Sequence, residues 1–290
     1  MSITIGLNIA ALRSARALNA ASSDLSKTYQ RLSSGLRIND ASDDPAGLHL
    51  AAVLRRDALI ANVAIQNAND AISLVRIEDS ALETISNILQ RMAELAQQSA
   101  TGTFRNLQRS AMHAEFVALG SEIDRIAKIT KFNNMTLLSN SRTIFAQVGF
   151  DAFSNSRIQI DAISATLEAL DLAVGGSSVL MYSIIAATED DSRAAAVTAL
   201  AAVRDAIDNV AGRRGALGAS ESRLEIAVNN LQSVRENLLG AEHQIRDVDT
   251  AFEVAKMAAL QITQQAASAV LAHANMQPSI ALELLKPVKG

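Results

Sequence analysis

The chain has 290 residues, of which 49% are apolar but only 3% aromatic, with three prolines, no tryptophan and no cysteine. Its formal net charge of −4 argues against nucleic acid as the main partner, because phosphate binding needs a basic surface. The absence of cysteine excludes disulfides, thiolate metal sites and cysteine nucleophiles.

The N-terminal segment is predicted to form a helix over about residues 5–32. Apolar residues recur there at every seventh position: Ala11, Leu18, Leu25 and Leu32. Gly35 is expected to end this helix, because glycine accepts a left-handed conformation without steric cost. Residues 36–47 are rich in side chains that bond to nearby backbone and predict an irregular connector. Asp44 before Pro45 predicts an N-cap and the start of the next helix.

Two further helices are predicted over about residues 45–99 and 105–129. The second helix carries a heptad repeat: Ala61, Ala68, Val75, Leu82, Leu89 and Ala96. The third helix has one predicted apolar side: Leu107, Met112, Phe116, Leu119, Ile123 and Ile126.

The period of the apolar pattern changes from helical to alternating after Lys131. Ile144, Ala146 and Val148 alternate with Phe145 and Gln147, and a second alternating run covers residues 157–162. A turn-prone segment lies between the two runs, so a β-hairpin is predicted. Residues 165–191 show no sustained pattern and are predicted to be a short loop region.

The last helical region is predicted to begin near Ser192, after a capping box of Thr188 and Asp191, and to continue as one long helix. Its heptad repeat is apolar throughout: Val203, Val210, Leu217, Leu224, Leu231, Leu238, Ile245, Phe252, Ala259 and Ala266. Such a repeat keeps one seam facing a partner helix. The glycines at 212, 215 and 218 leave open a bend, a close helix contact or a break. The sequence therefore predicts a mainly α fold: an elongated antiparallel α-helical coiled-coil bundle with a small β-hairpin and paired N- and C-terminal helices.

The two ends of the chain carry few charges. Between Lys256 and Glu283 there is no Asp, Glu, Lys or Arg, but several Gln, Ser, Thr and Asn residues argue against a membrane span. Two such helices could pack on each other without contacting further copies of the chain. Association with further copies is the preferred interpretation, because large apolar surfaces usually mark interaction sites.

No catalytic, cofactor or metal motif is present in the sequence. The four histidines have no second ligand at a zinc-type spacing, and the acidic pairs at 43–44 and 190–191 are explained as helix caps. We therefore predict neither an enzyme nor a cofactor.

Several long motifs resemble bacterial flagellins. At the N-terminus these are Arg31-Leu32-Ser33-Ser34-Gly35-Leu36-Arg37-Ile38-Asn39, Asp43-Asp44-Pro45-Ala46-Gly47 and Asn67-Ala68-Asn69-Asp70-Ala71-Ile72-Ser73. At the C-terminus they are Gln264-Gln265-Ala266 and Val270-Leu271-Ala272-His273-Ala274-Asn275-Met276-Gln277-Pro278. The resemblance covers about residues 1–165 and 193–285.

The resemblance implies a division into domains. Residues 1–44 with 245–290 would form a terminal coiled-coil inner domain and connector. Residues 45–164 with 192–244 would form a helical rod domain with the β-hairpin. Residues 165–191 stand where flagellins insert variable outer domains.

The resemblance also implies a function and a location. The chain would be a structural subunit of the extracellular flagellar filament, exported without a cleaved signal peptide, and would self-assemble into a hollow helical polymer for motility. The implied partners are other copies of itself, a filament cap, a hook–filament junction protein and an export chaperone. The residues expected at subunit contacts are Leu18, Leu25, Leu32, Phe252, Ala259, Ala266, Val270 and Leu271.

A flagellin-sensing Toll-like receptor is a further implied partner. Arg91, Leu95 and Glu115 match family positions at the receptor contact. A subunit contact or a solvated charge pair is the alternative for Arg91 and Glu115.

The sequence is also compatible with two other functions within the superfamily. One is a hook–filament junction protein, which shares the Asp-Asp-Pro-Ala-Gly motif. The other is a surface-binding or ligand-binding flagellin homologue, although little mid-chain sequence is left for a binding domain.

Overall fold

The computed structural model describes residues 8–140, 142–151, 153–175, 177 and 179–284, with side chains as far as residue 276. Helices dominate. In chain order the elements are α1 (Ile9–Ser34), α2 (Pro45–Ala100), α3 (Asn106–Ile129), β1 (Lys131–Phe132), β2 (Met135–Thr136), β3 (Ile144–Gln147), β4 (Arg157–Ile160), α4 (Glu189–Arg246) and α5 (Thr250–Leu284). The mainly α fold with a small hairpin is therefore confirmed.

The helix boundaries near residue 40 follow from local chemistry. Gly35 adopts φ 71° directly after α1, which is the left-handed conformation expected there. The carboxylate of Asp44 accepts a hydrogen bond from the Gly47 amide at 2.9 Å, so Asp44 caps α2 and Pro45 occupies the first helical position. The connector between α1 and α2 is irregular, as predicted.

The described residues form two units. One contains Met1–Arg56 with Asn237–Gly290, and the other contains Asp57–Glu236. The boundaries between the units fall inside helices α2 and α4.

The unit of Asp57–Glu236 has an extended apolar core. The predicted heptad positions of α2, from Ala61 to Ala96, are fully buried, and Val203, Val210, Leu217, Leu224 and Leu231 of α4 are buried with them. Phe116 and Ile123 add the apolar side of α3. Leu107, assigned to that side from the sequence, is instead 86% exposed. It lies in the first turn of α3, where Arg109 is the residue that points inward.

The hairpin of β3 and β4 is antiparallel, with Ile144 opposite Ile160 and Gln147 opposite Arg157. Ala146, Ile158 and Ile160 face the core while Phe145 faces outward, as the alternating pattern predicted. A second pairing, β1 with β2, was not predicted. It turns at Asn133 and Asn134, both at positive φ, and asparagine tolerates that conformation better than most residues.

Residues 165–188 are irregular, as predicted, whereas residues 189–191 already belong to α4. The irregular segment nevertheless packs closely on the core. Several of its apolar side chains are buried: Ala165, Leu167, Leu170, Leu172, Ala173 and Ile184. The sequence interpretation missed this burial because the apolar residues follow neither a helical nor an alternating period.

The prediction of one continuous last helix is wrong. Helix α4 starts at Glu189, where the Thr188 hydroxyl accepts from the Asp191 amide, and it runs unbroken through the three glycines. It ends at Arg246, and α5 starts at Thr250. Backbone pairing with the connector replaces the helical bonds there: the Arg37 amide donates to the Arg246 carbonyl at 2.7 Å, and the Val248 amide donates to the Gly35 carbonyl at 3.1 Å.

Candidate assembly surfaces

Helices α1 and α5 pair antiparallel. The amide side chain of Asn8, at the start of α1, donates to the Ala274 carbonyl at 2.7 Å. Near the other end of α1, Gln261 donates to the Tyr29 hydroxyl at 2.9 Å. The predicted pairing of the N- and C-terminal helices is therefore confirmed for these residues.

The seam between α1 and α5 uses the predicted face of α1. Leu25 is buried, and Leu18 and Leu32 are half-buried along the same stripe. On α5, one stripe of buried and half-buried positions recurs at intervals of seven: Glu253, Leu260, Ala267 and Ala274, with Leu271 alongside. These residues are the α1–α5 seam.

The predicted seam residues Phe252, Ala259 and Ala266 do not lie in the α1–α5 seam. They are exposed, because the seam of α5 lies one residue later than the heptad extrapolated from α4. One residue turns a helix by about 100°, so a slip of one position moves a whole stripe to another flank. The break at residues 247–249 ended the register that the extrapolation assumed.

The displaced residues form an exposed apolar stripe of their own on α5. We call it the outer stripe, and it consists of Phe252, Ala255, Ala259, Ile262, Ala266, Ala269 and Val270. Phe252 is 68% exposed and Ile262 67%. The outer stripe contains no charged residue and continues for about five turns of the helix. Such a surface is typical of a helix that packs on another molecule.

A small ionic cluster joins α1, the connector and α5. The Arg31 guanidinium lies 3.6 Å from the Asp43 carboxylate and 3.9 Å from that of Glu253, and Lys256 lies 3.7 Å from Glu253. Hydrogen bonds from the backbone amides of residues 39 and 40 lower the pKa of Asp43. The sequence interpretation missed Glu253, whose side chain is buried at an otherwise apolar position.

The three residues predicted at the receptor contact lie in two different environments. The Arg91 Nε atom donates to Glu115 on α3 at 2.9 Å, and its Nη1 atom donates to Glu94 at 2.8 Å. Hydrogen bonding to Glu115 raises the pKa of Arg91. Leu95 is only 1% exposed and belongs to the apolar core. Arg91 and Glu115 are therefore together on the surface, and Leu95 supports the helix beneath them.

The histidines are not gathered into a site. His243 Nδ1 lies 2.9 Å from an Asp247 carboxylate oxygen one helical turn on. Among the described residues no group of three or more His, Cys, Asp or Glu could hold a metal ion. Within the described ranges, none of the helices is both long and apolar enough to cross a membrane.

Comparison with known proteins places the helices and their motifs in a family. The chain matches the model of the bacterial flagellin N-terminal helical region over residues 5–143 and that of the bacterial flagellin C-terminal helical region over residues 200–285. It is 36% identical over 283 residues to a flagellin of Halalkalibacterium halodurans, with 97% of this chain and 99% of the relative covered. It is 33% identical over 292 residues to the flagellar filament 33 kDa core protein of Treponema phagedenis, with the same coverage.

A solved structure shows the same fold at low sequence identity. It is that of a putative flagellar hook-associated protein from Vibrio parahaemolyticus, with a TM-score of 0.57 and 16% identity, covering 71% of this chain and 100% of that one. At that identity the likeness concerns the fold alone. Both terminal family models and relatives aligned over nearly their whole length agree on one assignment: the chain belongs to the bacterial flagellin family.

Proposed function

We infer that this chain is a structural subunit of the extracellular flagellar filament, and that it polymerises through its terminal helices. It is a structural protein and not an enzyme. The observation that carries the inference, beyond family membership, is the outer stripe of α5. The stripe is apolar over its whole length although α5 already has a partner helix in α1.

The energetics of the outer stripe favour contact with other subunits. Fully burying a side chain such as Phe252, Ile262 or Val270 contributes about 1.5–3 kcal/mol relative to leaving it in water. In a helical polymer the same contact repeats for every added subunit, so a modest gain per contact yields a long assembly. The small residues Ala255, Ala259 and Ala266 would let a neighbouring helix approach closely.

The terminal segments 1–44 and 245–290 are the inner domain in this proposal, and 45–164 with 192–244 are the helical rod domain. Export without a cleaved signal peptide, and contacts with a filament cap, a junction protein and an export chaperone, are part of the same proposal and rest on the family resemblance. The subunit contacts would include the exposed members of the predicted set: Phe252, Ala259, Ala266 and Val270.

The first test places a charge on the outer stripe. We expect Ile262→Glu to leave the monomer folded, because the residue is exposed, and to prevent seeded filament growth. The matched control is Ser268→Glu, which adds the same charge to the polar face of the same helix and should still elongate. Filament length by electron microscopy and monomer helicity by circular dichroism give the two readouts. Normal filaments of Ile262→Glu would contradict the proposal.

A second test removes residues 267–290 altogether. This truncation deletes the last part of α5 from both the seam and the outer stripe, so filaments should be lost while the helices of Asp57–Glu236 remain folded. Filaments that survive the truncation would refute assembly through the terminal helices.

The Arg91–Glu115 pair remains the proposed contact with a flagellin-sensing Toll-like receptor. Its support is the family resemblance together with the exposure of both side chains on neighbouring helices. Charge reversal of both residues should reduce receptor signalling by the monomer without changing its helicity. Unchanged signalling would leave the pair as a surface ion pair.

A further inference from the structure

An acidic side chain lies on the buried, apolar face of α2. Glu78 is 3% exposed and occupies the heptad face that also carries the fully buried Val75, Leu82 and Ile85. One carboxylate oxygen, Oε2, is buried without a hydrogen-bond partner among the described residues. A buried carboxylate without compensation is costly, so this position demands an explanation.

Glu78 lines a cavity of about 190 Å³ beside β2 and the segment that leads to β3. The other lining residues are Asn134, Met135, Thr136, Leu137, Asn140, Arg142 and Ile144. Among the described lining residues, Arg142 is the only other charged one, and it is exposed. A single carboxylate beside a guanidinium is a poor cation site, so the property that matters here is the protonation of Glu78 itself.

Burial raises the pKa of Glu78 to about 7. The cause is loss of hydration, which disfavours the charged form. The neighbouring charges on the same helix are already engaged: Arg76 binds Glu221 and Asp79 binds Arg214, both partners lying on α4. Lys131 on β1 is exposed, and β3 contains no charged residue.

We propose that Glu78 makes the unit of Asp57–Glu236 pH-sensitive. When its carboxyl group ionises, the segment between β2 and β3 packs less tightly on helix α2. The neutral carboxyl packs in the core. The ionised carboxylate requires water or Arg142, and the cavity is the space through which either can reach it. This inference concerns the unit of Asp57–Glu236 alone and does not depend on filament assembly.

The direction of the pH effect follows from linkage. Below pH about 4.5 the carboxyl is protonated in both the folded and the unfolded chain, so its burial does not reduce the free energy of unfolding through ionisation. Between pH about 4.5 and about 7 the unfolded chain ionises first, so stability is lost as the pH rises. Above pH about 7 the loss is complete.

The test measures the segment directly in the full-length monomer. The Leu137 amide donates to the Thr130 carbonyl at 3.1 Å, and its hydrogen exchange reports opening of this segment. Comparing the wild type with Glu78→Gln at each pH cancels the intrinsic pH dependence of exchange. We expect the opening constant of the wild type, relative to Glu78→Gln, to rise roughly tenfold or more between pH 5 and pH 8.

Two further variants keep the outcome interpretable. Glu78→Met replaces the carboxyl with an apolar group of similar length and serves if Glu78→Gln does not fold. Glu236→Gln, at an exposed position of α4, is the matched control and should behave like the wild type. A direct titration of the Glu78 carboxyl by carbon NMR should have a midpoint near pH 7. A midpoint below about 5, or a Leu137 opening ratio independent of pH, would overturn the proposal.

Discussion

At the residue scale, Arg109 is the least expected part of the core. Its guanidinium donates to the carbonyls of Ser99 and Thr101, each at 3.0 Å, to the carbonyl of Glu189 at 3.2 Å and to the Asn106 side chain at 3.4 Å. It therefore joins the end of α2, the start of α3 and the start of α4. Only 1% of Arg109 is exposed, so these bonds are sheltered from water.

We expect Arg109→Lys to destabilise the unit of Asp57–Glu236 by about 2–4 kcal/mol, because lysine cannot reach the same set of carbonyls and leaves buried acceptors unpaired. Urea unfolding followed by circular dichroism measures this change. Arg204→Lys, at an exposed position of α4, should change stability by less than about 0.5 kcal/mol. Equal effects of the two variants would mean that the carbonyl contacts of Arg109 contribute little.

At the element scale, the break between α4 and α5 decides which face of α5 meets α1. Asp249 ends the break by capping α5: its Oδ1 atom accepts from the amides of Ala251 at 3.0 Å and Phe252 at 3.1 Å. The restart of the helix therefore depends on one side chain together with the backbone bonds to the connector.

Replacing Asp249 by alanine should weaken the first turn of α5 by about 1 kcal/mol, the usual cost of losing an N-cap. Amide exchange at Ala251 and Phe252 should accelerate by roughly fivefold, which is the same free energy expressed as a ratio. Asp249→Asn retains the capping oxygen and should stay close to the wild type. If the alanine variant exchanges no faster than the asparagine variant, the backbone bonds alone hold the break.

At the scale of the whole molecule, the two units differ in how much apolar side chain they bury. The unit of Asp57–Glu236 holds a large core cluster drawn from α2, α3, the hairpin, the segment of residues 165–188 and α4, with a small second cluster of Ala64, Ile65 and Leu231. The other unit buries few apolar residues among those described: Ala21, Leu25, Ile38, Ala51 and Ala274. Three of these are alanines, which contribute little buried area each.

We expect amides in α1 and α5 of the monomer to exchange at least roughly tenfold faster than those buried in the unit of Asp57–Glu236, because local stability follows buried apolar contact. Assembly into filaments should remove most of this difference by covering the outer stripe. Mass spectrometry of exchange in monomer and filament makes the comparison. Equal protection of both units in the monomer would show that the terminal helices need no partner.

The sequence by itself determined the helical class, the helix ends at Gly35 and Asp44, the heptad faces of α1, α2 and α4, and the β3–β4 hairpin. These features depend on residues close together in the chain, whose spacing and backbone preferences can be read directly from the sequence. The tertiary structure decided the break at residues 247–249, the face of α5 that packs on α1, the burial of residues 165–188 and the positions of Arg109 and Glu78. Each of these depends on a partner distant in sequence, such as the connector that bonds residues 246 and 248, and no local pattern records which distant segment will supply it.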